Sequence, residues 1–462
     1  MKHLLALLII LLPVIYATAA DEAIFWQDRD DGSYIIHDEG VQGISIPPGQ
    51  TDDPSVIWQR YLEWPIFTST ANCGDGYVFT GTYLNDPREA ELLSADGFGV
   101  PEWIYTGTQF YVDGSCDGFV LAGADNTGAS TDIMKWSGPG TGNPDWTATF
   151  PGTNIASANA GIRVSDDGST IAAALNEYPE TRLVVFDQDN STPIVNYLTS
   201  GLGFPRGTQI TPDGRYFGNR IHAHVLVYDV ENNAVREVIS AGYSSSPFDI
   251  SGDGNLITYG WTSLIVKQWD GTSYANHWTR SEAGYYMCCA SISDDGSTIA
   301  AGWNNTSYNT ARLTVHQSGS AVPIWTYNYP TSSGSVQEVI SDIEMTPDGQ
   351  YIVVGSWGDA NNINPEVHVF DRDAGAVPYY TVDMPGSVFS VDISDDGRYA
   401  SACGKHIHAN ISGHGGDIKM IDLDLTAPQL DVTLTPYGAP IQIPSGGGSF
   451  DFNISVRNLA AT

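Results

Sequence analysis

Two pairs of histidines stand two residues apart, His222-Ala-His224 and His406-Ile-His408, and His414 follows the second pair. Residues two apart on a strand share a face, the geometry in which two imidazoles grip one Zn²⁺ or Cu²⁺ ion. His406, His408 and His414 are the candidate metal ligands on this reading, with Cys403 and Asp417 near enough in sequence to help. Repetition competes with it, because both pairs stand eight to eleven residues beyond an equivalent turn glycine, Gly214 or Gly397. The five cysteines are Cys73, Cys116, Cys288, Cys289 and Cys403, an odd number that leaves at least one unpaired or bridged between chains. Adjacent Cys288 and Cys289 can close a strained vicinal disulfide; buried free thiols are the alternative. The Asp-x-Asp pairs at 187/189, 371/373 and 422/424 have the look of calcium loops, as does Asp28-Arg-Asp-Asp-Gly32. Recurrence at one hairpin favours turn chemistry for the pairs, and the last run lacks the glycine at the sixth loop position of an EF-hand. No Ser/His/Asp nucleophile phrase and no phosphate-cradling glycine loop occurs, so no catalytic residue is assigned.

The elements that would position these groups are repeats. One phrase recurs, Ser or Thr, then an Asp-Gly turn between two apolar runs: Val164-Ser-Asp-Asp-Gly-Ser-Thr-Ile, Ile210-Thr-Pro-Asp-Gly-Arg-Tyr, Ile250-Ser-Gly-Asp-Gly-Asn-Leu, Ile292-Ser-Asp-Asp-Gly-Ser-Thr-Ile, Met345-Thr-Pro-Asp-Gly-Gln-Tyr and Ile393-Ser-Asp-Asp-Gly-Arg-Tyr. Degenerate copies end at Gly76 and Gly118. Asp-Gly supplies the φ > 0 positions of a tight hairpin, so the phrase predicts strand, turn, strand. A third strand follows, as in Leu183-Val-Val-Phe-Asp187 and Val367-His-Val-Phe-Asp371, and a fourth carries Trp103, Trp146, Trp278, Trp325 or Tyr380. Successive turn glycines are about 46 residues apart, the length of a four-stranded propeller blade.

The fold class is therefore all-β, a β-propeller with eight blades, seven being the alternative if the copy at Gly76 is not a full blade. Eight phrases enclose only seven fourth strands, and Ser55-Val-Ile-Trp58 precedes the first. That segment is expected to complete the last blade beside Ile418-Lys-Met-Ile421, which would remove a sheet edge; the stretch 430–435 is the other candidate for the final strand. Five residues before each turn glycine stand Ala71, Asp113, Arg163, Gln209, Asp249, Ser291, Glu344 and Asp392. If this strand is the innermost one, the polar members Asp113, Arg163, Gln209, Asp249, Glu344 and Asp392 line the channel as an acidic collar with one arginine. The collar can hold a cation or polar ligand, or it can satisfy backbone groups between blades.

Lys2, an apolar run from Leu4 to Ile15 and the small residues 17–20 read as a secretory signal peptide, too short to span a bilayer. Cleavage is expected after Ala19 or Ala20, making the protein secreted or cell-surface. The expected domains are 1–20 signal peptide, 21–51 N-terminal extension, 52–425 propeller, and 426–462 a linker with the first strands of a truncated, Ig-like β-sandwich. With 54 Asp plus Glu against 19 Lys plus Arg, the net charge of −35 repels nucleic acid and anionic lipid. Nucleic acid and membrane insertion are excluded as partners on these grounds.

At the level of its phrases the chain resembles the WD-repeat-like, YVTN-like and quinoprotein-like propellers of secreted bacterial proteins. The carriers are Ser-Asp-Asp-Gly or Thr-Pro-Asp-Gly before an Ala/Val/Gly-rich strand, and Val369-Phe-Asp-Arg-Asp-Ala-Gly-Ala-Val-Pro-Tyr-Tyr380. Such propellers serve as binding modules, scaffolds and enzymes alike. Some quinoprotein dehydrogenases place a vicinal disulfide against their cofactor, the role this resemblance implies for Cys288 and Cys289; no cofactor-docking or calcium-binding set accompanies the pair. The terminal segment looks like the opening of Ig-like modules that precede sorting domains in large exported bacterial proteins. The expected function is a non-catalytic extracellular binding or scaffold module for a polysaccharide, peptide or protein. The alternatives are a propeller enzyme (quinoprotein-like oxidoreductase, lyase or hydrolase) and a structural spacer of a larger sorted surface protein. No cofactor is expected, with room left for a divalent cation.

Overall fold

The computed structural model describes residues 25–28, 34–37, 56–73, 76–83, 88–97, 99–115, 119–155, 161–242, 248–307, 309–331, 338–423, 430–436 and 452–458. The ring, described from Val56 to Leu423, is an eight-bladed β-propeller, each blade a four-stranded antiparallel meander. Blades 1 to 7 begin with the innermost strands Ile66–Cys73, Phe110–Gly114, Ile162–Val164, Pro205–Ile210, Asp249–Ile250, Tyr285–Ile292 and Ile340–Met345. Blade 8 is built from both ends of the ring. Its inner strands are Val388–Ile393, Tyr399–Lys405 and Gly416–Asp422, and its outer strand is Val56–Leu62, paired from Val56 with Ile421 to Leu62 with Gly416. The segment at Trp58 is thus the closing strand. Leu430–Pro436 pairs instead with Phe452–Asn458, and Phe25–Asp28 pairs with Tyr34–His37, in a separate unit. The expected signal peptide, Cys116 and most of the expected terminal module lie outside the described residues.

The recurrent phrase folds through one repeated network. Ser293 Oγ donates to Asp295 Oδ1 at 2.7 Å and accepts the Thr298 N–H at 3.0 Å, while the same Asp295 oxygen takes the Ser297 N–H at 2.8 Å. The Gly296 N–H closes the turn on the Ser293 carbonyl, with φ 68° at the glycine. Equivalent hydroxyl and carboxylate bonds recur at Ser165/Asp167, Thr211/Asp213, Ser251/Asp253, Thr346/Asp348 and Ser394/Asp396. This corrects one expectation, since only the glycine is left-handed and the aspartates are not among the positive-φ residues. The side-chain hydroxyl stands in for a backbone acceptor, so the loop does not need the doubly left-handed turn.

Second strands such as Thr170–Glu177 are buried along most of their length, because each blade is covered by a neighbour on both faces. The core therefore lies between blades. One cluster joins Val120, Ala122 and Ala124 of blade 2 to Ile162, Ile171, Ala173 and Phe186 of blade 3. Complete burial of a side chain such as Phe186 contributes about 1.5–3 kcal/mol. Small residues let the next inner strand approach: a Cβ on Gly302 would sit 2.9 Å from Ile340, the start of blade 7. At the outside, fourth-strand indoles staple each blade to the next. Trp146, Trp278 and Trp325 donate to the carbonyls of Gln188, Ser318 and Arg372 at 2.8, 2.6 and 2.8 Å.

Candidate functional site

The meander gives the ring two unlike faces. Turns between first and second strands, and between third and fourth, emerge on one face; loops between second and third strands, and the links between blades, emerge on the other. The turn face is acidic, carrying the six aspartates of the repeated network together with Asp187, Asp270 and Asp371. Its Asp-x-Asp pairs are turn chemistry: Asp187 and Asp371 accept the N–H groups of Asp189 and Asp373 at 3.0 and 2.9 Å.

Asp113, Arg163, Gln209, Asp249, Glu344 and Asp392 all line the central channel, a space of about 180 Å³. Most are committed to the seams between blades. Asp113 Oδ2 accepts the Val164 N–H at 2.7 Å, Asp249 Oδ2 the Ile292 N–H at 2.6 Å, and Asp392 Oδ2 the Asn72 N–H, each from the following blade. Arg163 Nε donates to Gln209 Oε1 at 2.9 Å across another seam. At neutral pH this wall is not fully ionised. Burial pushes the Asp249 carboxyl up to about 7, and burial with neighbouring Asp342, Asp392 and Asp249 pushes Glu344 well above its ordinary range. Arg163 opposes these shifts at Asp113, Asp342 and Glu344.

Sequence reasoning missed Asp342, whose Oδ2 accepts the Val391 N–H at 3.1 Å and carries the blade 7 seam in place of Glu344. Strand alternation could have found it, because it stands two residues before Glu344 and shares its face. Asp166, Asp294 and Asp395 were missed as well; they gather at the channel mouth, where burial and Asp395 raise Asp294 to about 6 while Asp166 hydrogen-bonds it. The signal was the first aspartate of each Ser-Asp-Asp-Gly phrase.

The three candidate metal-binding histidines are held apart by separate partners. His406 Nδ1 bonds the buried Asp417 carboxylate, whose other oxygen accepts Gln59 Nε2 at 2.5 Å. His408 is buried edge-on to Trp357, and its Nδ1 accepts the Asn410 N–H at 3.1 Å. His414 is exposed and stacks on Trp64. Among the described residues no group of three or more His, Cys, Asp or Glu side chains is placed to hold a metal ion. Cys288 and Cys289 are free thiols, not a vicinal disulfide. A β-bulge at Cys288 leaves it half-buried while Cys289 packs fully into the seam, its sulfur 3.6 Å from the Ile340 carbonyl.

The loop face carries exposed or half-buried aromatic pairs. Trp64, 48% exposed, lies over His414 with ring centroids 4.0 Å apart; Trp261, 37% exposed, stacks on Tyr286 at 5.0 Å across the next seam but two before the closure. Tyr178 stands on the same face. Nothing in the sequence pattern distinguished these rings from the fourth-strand indoles that staple the rim.

No protein-family model matches the chain, and no curated protein matches it. Among solved structures it is similar to hydrazine synthase of Kuenenia stuttgartiensis, at 16% identity over 69% of this chain and 98% of that one, with a TM-score of 0.49. At that identity and score the likeness bears on neither chemistry nor ligand.

Proposed function

We propose that the chain is an exported propeller of the WD-repeat-like, YVTN-like and quinoprotein-like kind, working without catalysis as a binding or scaffold module. Its loop face would take a polysaccharide, peptide or protein partner. The observation that carries this reading is the division of labour between residues: the channel carboxylates bond the backbone of adjoining blades, while Trp64, Trp261 and Tyr178 leave large ring area in solvent on one face. Exposed aromatic groups set in a polar surround are what interfaces are built on.

The test compares two double variants in a screen of immobilised glycans, peptides and proteins. Trp64→Ala/Trp261→Ala is expected to abolish whatever binding the wild type shows, and Val322→Ala/Val377→Ala, on the turn face, to leave it intact. Equal binding by both variants, or no binding by the wild type across all three classes, would overturn the reading.

A further inference from the structure

The loop side of blade 7 buries more carboxylate oxygen than its hydrogen bonds satisfy. Glu338 stands in the link from blade 6, two residues before the first strand Ile340–Met345. Gly358 lies in the loop after the second strand Tyr351–Ser356, and Glu366 immediately precedes the third strand Val367–Asp371. The two glutamates are enclosed, at 1% and 0% exposure, and they converge on one residue. Glu338 Oε1 accepts the Gly358 N–H at 3.1 Å, while Glu366 Oε1 lies so close over the Gly358 Cα that a Cβ there would collide with it. Gly358, with φ 68°, is the residue that leaves this space open.

Glu366 is only half satisfied. Its Oε2 accepts the Met384 N–H at 2.8 Å, from the link to blade 8, but no hydrogen bond reaches the buried Oε1. Asn362, in the same loop, repeats the pattern: its Nδ2 donates to Asp383 Oδ2 at 3.2 Å, beside Met384, and its Oδ1 is buried without a partner. Buried acceptors without donors are costly. A proton does not cure the one on Glu366, because it would turn Oε1 into a donor that is equally alone. A cation does. The strongest charges acting on the pair are carboxylates as well, Asp359 on Glu338 and Asp383 on Glu366. Lys419, the buried cation bonded at this seam, gives its Nζ to the Asp383 main-chain carbonyl at 2.6 Å.

We propose that Glu366 and Glu338 bind one Ca²⁺ ion, with Asn362 Oδ1 as a neutral donor. The donors are all oxygen, which suits a hard cation and disfavours Zn²⁺. Among the described residues no third His, Cys, Asp or Glu side chain is placed with the pair, so amide and carbonyl oxygens must complete the shell, and Ca²⁺ accepts these in irregular number. Mg²⁺ keeps most of its water, for which two carboxyl groups buried this completely leave no room. Such an ion fastens the link from blade 6 to the loop of blade 7, and nothing in its binding depends on what the loop face recognises.

The experiment is calorimetric titration of the intact protein, stripped of metal by a chelator, with Ca²⁺, Mg²⁺ and Zn²⁺, at a salt concentration that screens the exposed acids of the turn face. One Ca²⁺ per chain is expected, with a dissociation constant on the order of micromolar and a higher thermal midpoint in the loaded protein. Glu366→Gln keeps an oxygen for the Met384 N–H but lacks the charge, and should weaken Ca²⁺ at least about a hundredfold and abolish the thermal shift. Glu338→Gln, measured in parallel, reads the same loss should the first variant not fold, and Asp270→Asn on the turn face should bind as wild type does. Absence of tight Ca²⁺ binding overturns the site, as does wild-type affinity in both glutamine variants. Tighter binding of Mg²⁺ or Zn²⁺ than of Ca²⁺ overturns the choice of ion.

Discussion

The indole Nε1 of Trp58 donates to the carbonyl of Ser94 at 2.9 Å, across the seam between blade 8 and blade 1. Trp146, Trp278 and Trp325 make the same bond at other seams. The ring therefore closes by the rule that joins its other blades, although the donor comes from the N-terminal side of the ring and its strand partners from the C-terminal side.

Trp58 is 3% exposed, so Trp58→Ala leaves a cavity as well as an orphaned carbonyl and is expected to destabilise the ring by about 3–5 kcal/mol. Trp58→Phe, which keeps most of the volume, should lose about 1–2 kcal/mol. Urea unfolding followed by tryptophan fluorescence reads both. A truncation removing the strand through Leu62 should expose the edge of Gly416–Asp422 and aggregate, which light scattering would detect.

The turn network makes a second expectation. Ser293→Ala removes the hydroxyl that donates to Asp295 and accepts from Thr298, and should lower stability by about 1–2 kcal/mol. Ser293→Thr should be close to neutral, because Thr occupies the same place at Thr211 and Thr346. Equal destabilisation by both substitutions in urea melts would show that the hydroxyl bonds do not hold the turn.

The channel sets a pH dependence. Asp249 is raised to about 7 and Asp342 to about 6 by burial first, so the folded state holds protons that the unfolded state has released. Stability from these groups is fully present below the unfolded carboxyl range near 4 and is lost as pH rises through 6 to 7. Glu338, raised to about 8 by burial, extends the loss to that pH. Asp295 acts in the opposite sense: burial raises it, but the bonds from Ser293 and Ser297 lower it further, and their contribution fades as pH falls below the unfolded range. The thermal midpoint should therefore peak near about pH 4 to 5 and fall toward pH 8. In Asp249→Asn, which can still accept the Ile292 N–H, the alkaline fall should be shallower.

Thiol chemistry separates neighbouring residues. Cys289 is buried and its thiol pushed well above the ordinary range by burial and by Cys288, whereas Cys288 is half-buried at the bulge. Native alkylation with iodoacetamide should modify Cys288 before Cys73, Cys289 or Cys403. A mass two units lower for an unreduced peptide containing residues 288 and 289 would show a vicinal disulfide instead.

The recurrent Ser/Thr-x-Asp-Gly phrase, by itself, determined the blades, because the hydroxyl, carboxylate and glycine act within six residues of one another. Strand order and the position of the collar followed from that local rule, and the closing role of Trp58 followed from the strand count. Only the tertiary structure decided which side chains meet. Gln59 reaches Asp417 across 358 positions, Asp342 rather than Glu344 carries its seam, and His406 turns to Asp417 rather than to His408 or His414. These contacts depend on ring closure and on how each blade settles against the next, and repeat spacing carries no record of either. The same is true of the two faces. The acidic turns are visible in the phrase, but the stack of Trp64 on His414 on the opposite side joins the segment after the closing strand to a blade 8 loop, which only the closed ring brings together.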